Sequence, residues 1–364
     1  MQVIHSTDNN NYFKSRALKT IRRDFEARNF SIERGGGRSN MRILRPTTTQ
    51  QYRKITASKM GGYCFKSPNT GVGLGNFDGL HIGHMALINT LIRETQLNNL
   101  CSIVYTFTRH PENILRKKLI TPLLLTEQKK IELLSEINLD YLYFDEFNEE
   151  FSRLSPEDFV KKILIDKLNI KLAVAGYDYR FGYQGQGDID LLKKLGIQYG
   201  FRVVVIPAIK CDNEIISSTR IRQCITNGEL ETSYKLLGRN YSITAEVVSG
   251  RRIGNTIGFP TANIHPERFL VLPANGVYIT KTLLDGKLYN SMTNVGYNPT
   301  FEDVKQKTVE THIIDFNQDI YGKKIEVFFL KKIRDEEKFD SVDLLVEQIS
   351  KDMITTKEYL GIDI

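Results

Sequence analysis

The chain has no tryptophan, few prolines and only four cysteines, Cys64, Cys101, Cys211 and Cys224, spread through 364 residues. Cysteines this far apart, with no CxxC pair, argue against a disulfide framework and leave reduced thiols in a cytosol as the reading. No stretch approaches the roughly 18 consecutive apolar residues that a membrane-spanning helix requires, so an integral membrane protein is excluded. No signal-peptide pattern is seen, and a cytoplasmic location is expected. Acid is scarce at the front. Residues 1–70 hold 14 Lys/Arg against 4 Asp/Glu, whereas the rest of the chain holds 36 against 39, so the net charge of +7 belongs to a basic leader. A basic surface built to bind nucleic acid is therefore not expected of the folded part.

What is present is ordinary for a globular enzyme: 41% hydrophobic and 26% charged residues, and length enough for two cores. Residues 1 to about 70 have little periodicity and carry Asn9-Asn10-Asn11, Gly35-Gly36-Gly37 and Thr47-Thr48-Thr49. A disordered or weakly ordered leader, a polyanion-binding arm and an organelle presequence all fit that composition.

From Gly71 to about Gly228 apolar strands alternate with helical patterns, which implies a parallel, doubly wound α/β sheet. Gly71 to Gly75 serves as its first strand, weakened by its glycines. A helix from Ile82 to about Leu97 follows, then strands near Leu100–Phe107, Tyr141–Phe144, Leu172–Ala175 and Val203–Ile206. A helix follows Thr126, and Ser155 caps another with Pro156 at its first position. After a linker near 229–240, residues 241–364 change to short strands with no helices between them, the pattern of an antiparallel β-barrel. Asp285-Gly286 marks a hairpin, and Val342, Leu345, Val346 and Ile349 mark a last helix at about Glu336–Met353.

The stretch Gly75-Asn76-Phe77-Asp78-Gly79-Leu80-His81-Ile82-Gly83-His84 sets two histidines where a strand gives way to a helix. The free N–H groups and dipole of such a helix start attract phosphate, and imidazoles there can donate to oxygens that gain charge in a displacement. A metal pair and plain surface histidines are the other readings. Ser217-Ser218-Thr219-Arg220-Ile221-Arg222 places hydroxyls and arginines at a second helix start, a cradle for polyphosphate. Two strand ends carry ligand-contact candidates, Phe107 with His110 and Pro111, and Asp178 with Phe181. In the second half, Gly250, Gly254 and Gly258 precede Phe259-Pro260-Thr261-Ala262-Asn263. Glycines at that spacing let backbone approach an anion closely, and no Gly-Lys-Ser/Thr follows, so this is no Walker loop.

The run from Gly75 to His84 resembles the signature of the HxGH nucleotidyltransferases, and its wording is similar to the adenylyltransferase half of the bacterial bifunctional riboflavin kinase/FAD synthetases. Phe259 to Asn263 resembles the riboflavin-kinase signature of the same family, so that the likeness covers about residues 71 to 364. It implies a Rossmann-like domain at 71–228, a linker at 229–240, and a six-stranded Greek-key barrel with a C-terminal helix at 241–364. It also implies riboflavin, FMN, FAD and ATP as ligands, with Mg²⁺ accompanying ATP. In the first site it gives His81 and His84 the transition-state oxygens and gives Ser218, Thr219 and Arg222, beside Ser217 and Arg220, the β- and γ-phosphates. Gly75, Asn76 and Asp78 join the nucleotide-binding set. In the second it gives Thr261 and Asn263 the Mg²⁺, Glu310 the proton of the riboflavin 5′-hydroxyl, and Asn294, Pro299 and Thr300 a flap beside the flavin. On spacing alone Glu310 reads as a rim salt-bridge partner. Met1 to His5 resembles a usual family start, which makes the rest of the leader an insertion.

Overall fold

The computed structural model describes residues 30–34, 41–46, 69–108, 110–115, 121–250, 254, 257–297 and 307–363. They form two compact units, the first ending at Ile209 and the second beginning at Lys210, with Pro122–Leu124 counted in the second. The expected domain edge at 228 lies beyond this division, because the Ser218–Asn227 helix packs on the Leu230–Leu237 helix of the second unit.

The first unit is a seven-stranded sheet. In chain order its strands are β1 (Phe30–Arg34), β2 (Arg42–Pro46), β3 (Thr70–Leu74), β4 (Cys101–Phe107), β5 (Tyr141–Asp145), β6 (Ile170–Gly176) and β7 (Arg202–Ile206). They lie in the order β1-β2-β5-β4-β3-β6-β7. All neighbours run parallel except the edge pair β1 and β2. Residues 30–34 and 42–46, within the stretch expected to be a disordered or weakly ordered leader, form β1 and β2. Met41 and Ile43 are buried against Leu142 and Phe144 in one core cluster, and that burial gives β2 its place.

The strand read as first and weak, β3, is central, and all five of its residues are buried. Its glycines have a steric reason. A Cβ on Gly71 would strike Thr95 Cγ2, and one on Gly73 would crowd Leu91 and Leu87, so the Ile82–Leu97 helix lies nearly on the strand backbone. From β3 the chain winds outward through β4 and β5, then returns to β3's other side for β6 and β7. The loop after β3 thus stands at the point where winding reverses, the place where open α/β sheets bind ligands.

The second unit is a closed antiparallel barrel in the order β10-β11-β14-β13-β12-β15. Its strands are β10 (Tyr241–Val248), β11 (Ala262–Ile264), β12 (Gly276–Leu284), β13 (Lys287–Tyr297), β14 (Lys307–Ile313) and β15 (Lys324–Arg334). A small hairpin of β8 (Lys210–Cys211) and β9 (Glu214–Ile215) precedes it. Buried hydroxyls run across the barrel from Thr282 to Ser291, Thr280, Thr293 and Thr311 at 2.8–3.0 Å, so polar atoms at these buried positions are satisfied by one another. The last helix begins at Val342, not near Glu336, because Ser341 supplies its N-cap. It is tied to the barrel by Arg334, whose guanidinium donates to Asp352 at 2.8–3.1 Å, with Gln348 adding a bond at 2.9 Å. Asp352 is only 2% exposed. Replacing Arg334 by Leu leaves that carboxylate buried without its cation and should cost about 3–5 kcal/mol. Urea unfolding of the variant checks this, and a loss below about 1 kcal/mol would match a surface pair instead.

Candidate functional site

In the first unit the loop Gly75 to Leu80 is bent by two non-glycine residues in the left-handed region, Phe77 (φ 49°) and Leu80 (φ 42°). Both are essentially buried. Such strain persists only where surrounding structure fixes it, and it gathers at functional sites. The loop delivers His81 as the N-cap of the Ile82–Leu97 helix: His84 N–H donates to His81 Nδ1 at 3.2 Å. The two imidazoles stack, with ring centroids 3.6 Å apart and planes at 15°, and Phe77 meets His84 edge-on at 5.3 Å. Gly83 is required by this stack, since a Cβ there would sit 3.2 Å from His81 Cε1 and Nδ1. With Nδ1 accepting the cap bond, the proton of neutral His81 sits on Nε2, which makes that nitrogen a donor.

The sequence gives no hint of the group beneath the loop. Lys130, on the Glu127–Ser135 helix, is buried, and its ammonium donates to Asn76 O at 3.0 Å and to Thr106 Oγ1 at 3.2 Å. Thr106 in turn donates to the same carbonyl at 2.8 Å. Burial pushes the Lys130 ammonium down to about 8, while the Asp78 and Glu127 carboxylates pull the other way. A lysine between Lys129 and Ile131 in an amphipathic helix reads as solvent face, and only the fold reveals it as interior.

The remaining first-unit candidates differ in standing. Asn76 and Asp178 are exposed, and Asp78 is buried. Gly75 is partly buried, and the Phe77 ring lies 3.2 Å from where its Cβ would be. Phe107 packs edge-on against Tyr105, Phe147 and Phe151. Pro111 opens a short helix, and His110 stands 4.0 Å from Glu112. Phe181 is 5% exposed, stacked on Tyr179 and tilted against Phe159 in the core cluster.

The Ser217–Arg222 stretch belongs to the second unit. Ser217, not Ser218, is the N-cap, accepting from Arg220 N–H at 3.2 Å, so Ser218 and Thr219 stand in the first turn. Arg220 is committed to the small hairpin, with Nε 3.0 Å from Glu214 and a bond to Cys211 O at 3.2 Å. Arg222 donates through Nε to Pro122 O at 2.7 Å.

On the barrel, strand register assembles a row. Asn263 on β11 is directly opposite Glu310 on β14, and Glu310 is directly opposite Asn294 on β13. Residues paired this way share a face with Cβ atoms about 4.5–5.5 Å apart. All three are partly exposed, while their neighbours Ala262, Thr311 and Thr293 turn inward. Around the corner, a Cβ on Gly250 would strike the Asn263 amide and one on Gly254 would come 3.4 Å from Thr261 Oγ1. Gly250 and Gly254 therefore lie close to the two candidate metal donors, and Gly258 is exposed. His312 bridges to Pro260 O at 2.7 Å, fixing the Pro-Thr-Ala-Asn segment to β14. A cavity of about 450 Å³ is lined by Val247, Pro260, Thr261, Ala262, Thr311, Ile313 and Phe316 to Tyr321, and neither Asn263 nor Glu310 is among its lining residues. No motif marks the Phe316–Tyr321 wall. Pro299 and Thr300 lie outside the described residues.

Residues 66–220 match the FAD synthetase family and residues 237–360 the riboflavin kinase family. The bifunctional riboflavin kinase/FMN adenylyltransferase of Buchnera aphidicola subsp. Schizaphis graminum is 41% identical over 297 residues, covering 81% of this chain and 95% of that protein. The protein of the same description from Escherichia coli strain K12 is 36% identical, covering 79% and 92%. A crystal structure named as a macrolide-efflux protein from Streptococcus pneumoniae has a TM-score of 0.74 at 34% identity, covering 80% of this chain and 95% of that one. Among the described residues no helix is long and apolar enough to cross a membrane.

The cap geometry makes a direct prediction. In a ¹⁵N–¹H correlation spectrum at mildly alkaline pH, His81 should carry its proton on Nε2, with Nδ1 unprotonated. A proton on Nδ1 would contradict the cap bond.

Proposed function

This chain belongs to the bifunctional riboflavin kinase/FMN adenylyltransferase family, and on that premise we propose that it runs two successive reactions. Riboflavin and ATP give FMN and ADP on the barrel. FMN and ATP give FAD and pyrophosphate at the wound sheet. The observation that carries the reading is the barrel row, in which Asn263 is paired with Glu310 across β11 and β14, while the adjoining Pro260 and Thr261 line a cavity of about 450 Å³.

In the first step the Glu310 carboxylate accepts the proton of the riboflavin 5′-hydroxyl as that oxygen bonds to the γ-phosphorus of ATP and the bond to the β-phosphate oxygen breaks. Thr261 and Asn263 offer a hydroxyl and an amide oxygen, hard neutral donors within a cradle that glycines leave open. That set fits Mg²⁺, which takes few protein oxygens and completes its shell with phosphates and water. Bound there, the ion would neutralise charge on the phosphates. The pairing of Asn294 with Glu310 supports its reading as a contact beside the flavin.

In the second step an FMN phosphate oxygen attacks the α-phosphorus of ATP, and pyrophosphate leaves. No covalent enzyme intermediate is needed, so alignment and charge stabilisation supply the rate. His81 donates from Nε2 to a non-bridging oxygen as charge builds, and His84, stacked on it, serves a second one. Ser218, Thr219 and Arg222 take the departing phosphates by their match to the family motif. Arg220 acts through structure, holding the hairpin. Asn76 and Asp178 remain the exposed polar groups for flavin or nucleotide.

Single substitutions separate the steps. His81→Ala should lower FAD formation by about 10²-fold or more, the usual cost of losing a transition-state donor, and leave FMN formation intact. Glu310→Gln should do the reverse: FMN formation collapses while FAD is still made from supplied FMN. Chromatography of the flavin products reads both. Normal FMN formation by Glu310→Gln would overturn the role of general base.

A further inference from the structure

The buried cation under the His81 loop has no role in the chemistry above, and its surroundings make a purely structural role a poor account of it. Three elements meet Lys130: the loop after β3 presents Asn76 O and the Asp78 carboxylate, β4 presents Thr106 Oγ1, and β5 presents the Phe144 ring, 5.9 Å from Nζ. Its own helix adds Glu127. The Asn76 carbonyl already accepts a bond from Thr106 at 2.8 Å, so the loop could be anchored without an ammonium. Taking a charge out of water costs several kcal/mol even after relaxation, and a packed apolar side chain would avoid that cost. Yet the position holds a cation, at the foot of a loop whose backbone is strained at Phe77 and Leu80 and which ends in the His81 cap.

We propose that Lys130 is a positioning residue for adenylyl transfer, its ammonium holding the Asn76–Asp78 loop in the strained conformation that presents His81, without touching substrate. The charge matters as well as the hydrogen bonds. In a buried site a fixed positive charge acts over distance with little screening, and this one lies beneath a loop that must receive a polyphosphate. A neutral group of the same shape would fill the space and lose both effects.

The inference rests on the two-step reading of the chain, and the assay keeps the two apart. Full-length wild type, Lys130→Met and Lys130→Arg are each given FMN and Mg·ATP, and in parallel riboflavin and Mg·ATP. If wild type makes no FAD, the reading itself fails. If wild type makes FAD, Lys130→Met should show kcat for FAD formation reduced by about 10- to 100-fold, the cost of a small misplacement of reacting groups, with KM for FMN and ATP little changed. Riboflavin phosphorylation, carried out on the other unit, reports that the chain is folded. Lys130→Arg should recover most of the rate. Wild-type kcat for FAD formation should fall as pH rises through about 8, where the ammonium loses its proton, and Lys130→Arg should move that fall to higher pH. Unaltered kcat in a folded Lys130→Met overturns the inference. If Lys130→Met does not fold, a fall that stays near pH 8 in Lys130→Arg overturns it equally.

Discussion

The first unit depends on how closely one helix can lie on one strand. Gly71 and Gly73 remove the side chains that would hold the Ile82–Leu97 helix away from β3, and Thr95, Leu91 and Leu87 fill the space up to the backbone. The connection from the strand's carboxyl end at Leu74 to the helix start at Ile82 is a loop of seven residues, 75–81. It must turn through left-handed Phe77 and Leu80, and its last residue, His81, must serve as the cap. The same closeness repeats one turn later, where Gly83 lets the His81 ring stack on His84. A strand that seems weakened by glycine is thereby the one that sets the geometry of the helix start carrying His81 and His84.

The barrel solves a related problem by register instead of by closeness. Pairing of β11 with β14 and of β14 with β13 fixes Asn263, Glu310 and Asn294 in a row, while the alternate residues turn into a core whose hydroxyls bond among themselves. Slipping either strand by one residue would send this row into the core and the core threonines out. Gly250 and Gly254 then approach Asn263 and Thr261 closely enough that a Cβ on Gly250 would overlap the Asn263 amide.

Much of this was legible in the residues because the motifs carry their own backbone logic. A glycine turn before H-x-G-H, caps at Thr126 and Ser155, and the Asp285-Gly286 hairpin each fall where the structure has them. What escaped detection depends on tertiary packing. β1 and β2 have no periodicity to read, and β2 becomes a strand because Met41 and Ile43 find a cluster to enter. Lys130 has the composition of a solvated helix face, and burial reverses that reading. Which hydroxyl of Ser217-Ser218-Thr219 caps the helix is set by backbone geometry, and it is Ser217. The Phe316–Tyr321 wall of the barrel cavity has no signature because it is recognised only by what stands opposite it.

The central claim is that one chain carries two separate phosphate-transfer sites acting in sequence. The most direct test is a time course of the purified wild-type chain with riboflavin and Mg·ATP, with riboflavin, FMN and FAD resolved by chromatography. FMN should appear first and without a lag, FAD should follow after one, and supplied FMN should abolish that lag. Product that stops at FMN, or no conversion of supplied FMN to FAD, would contradict the account.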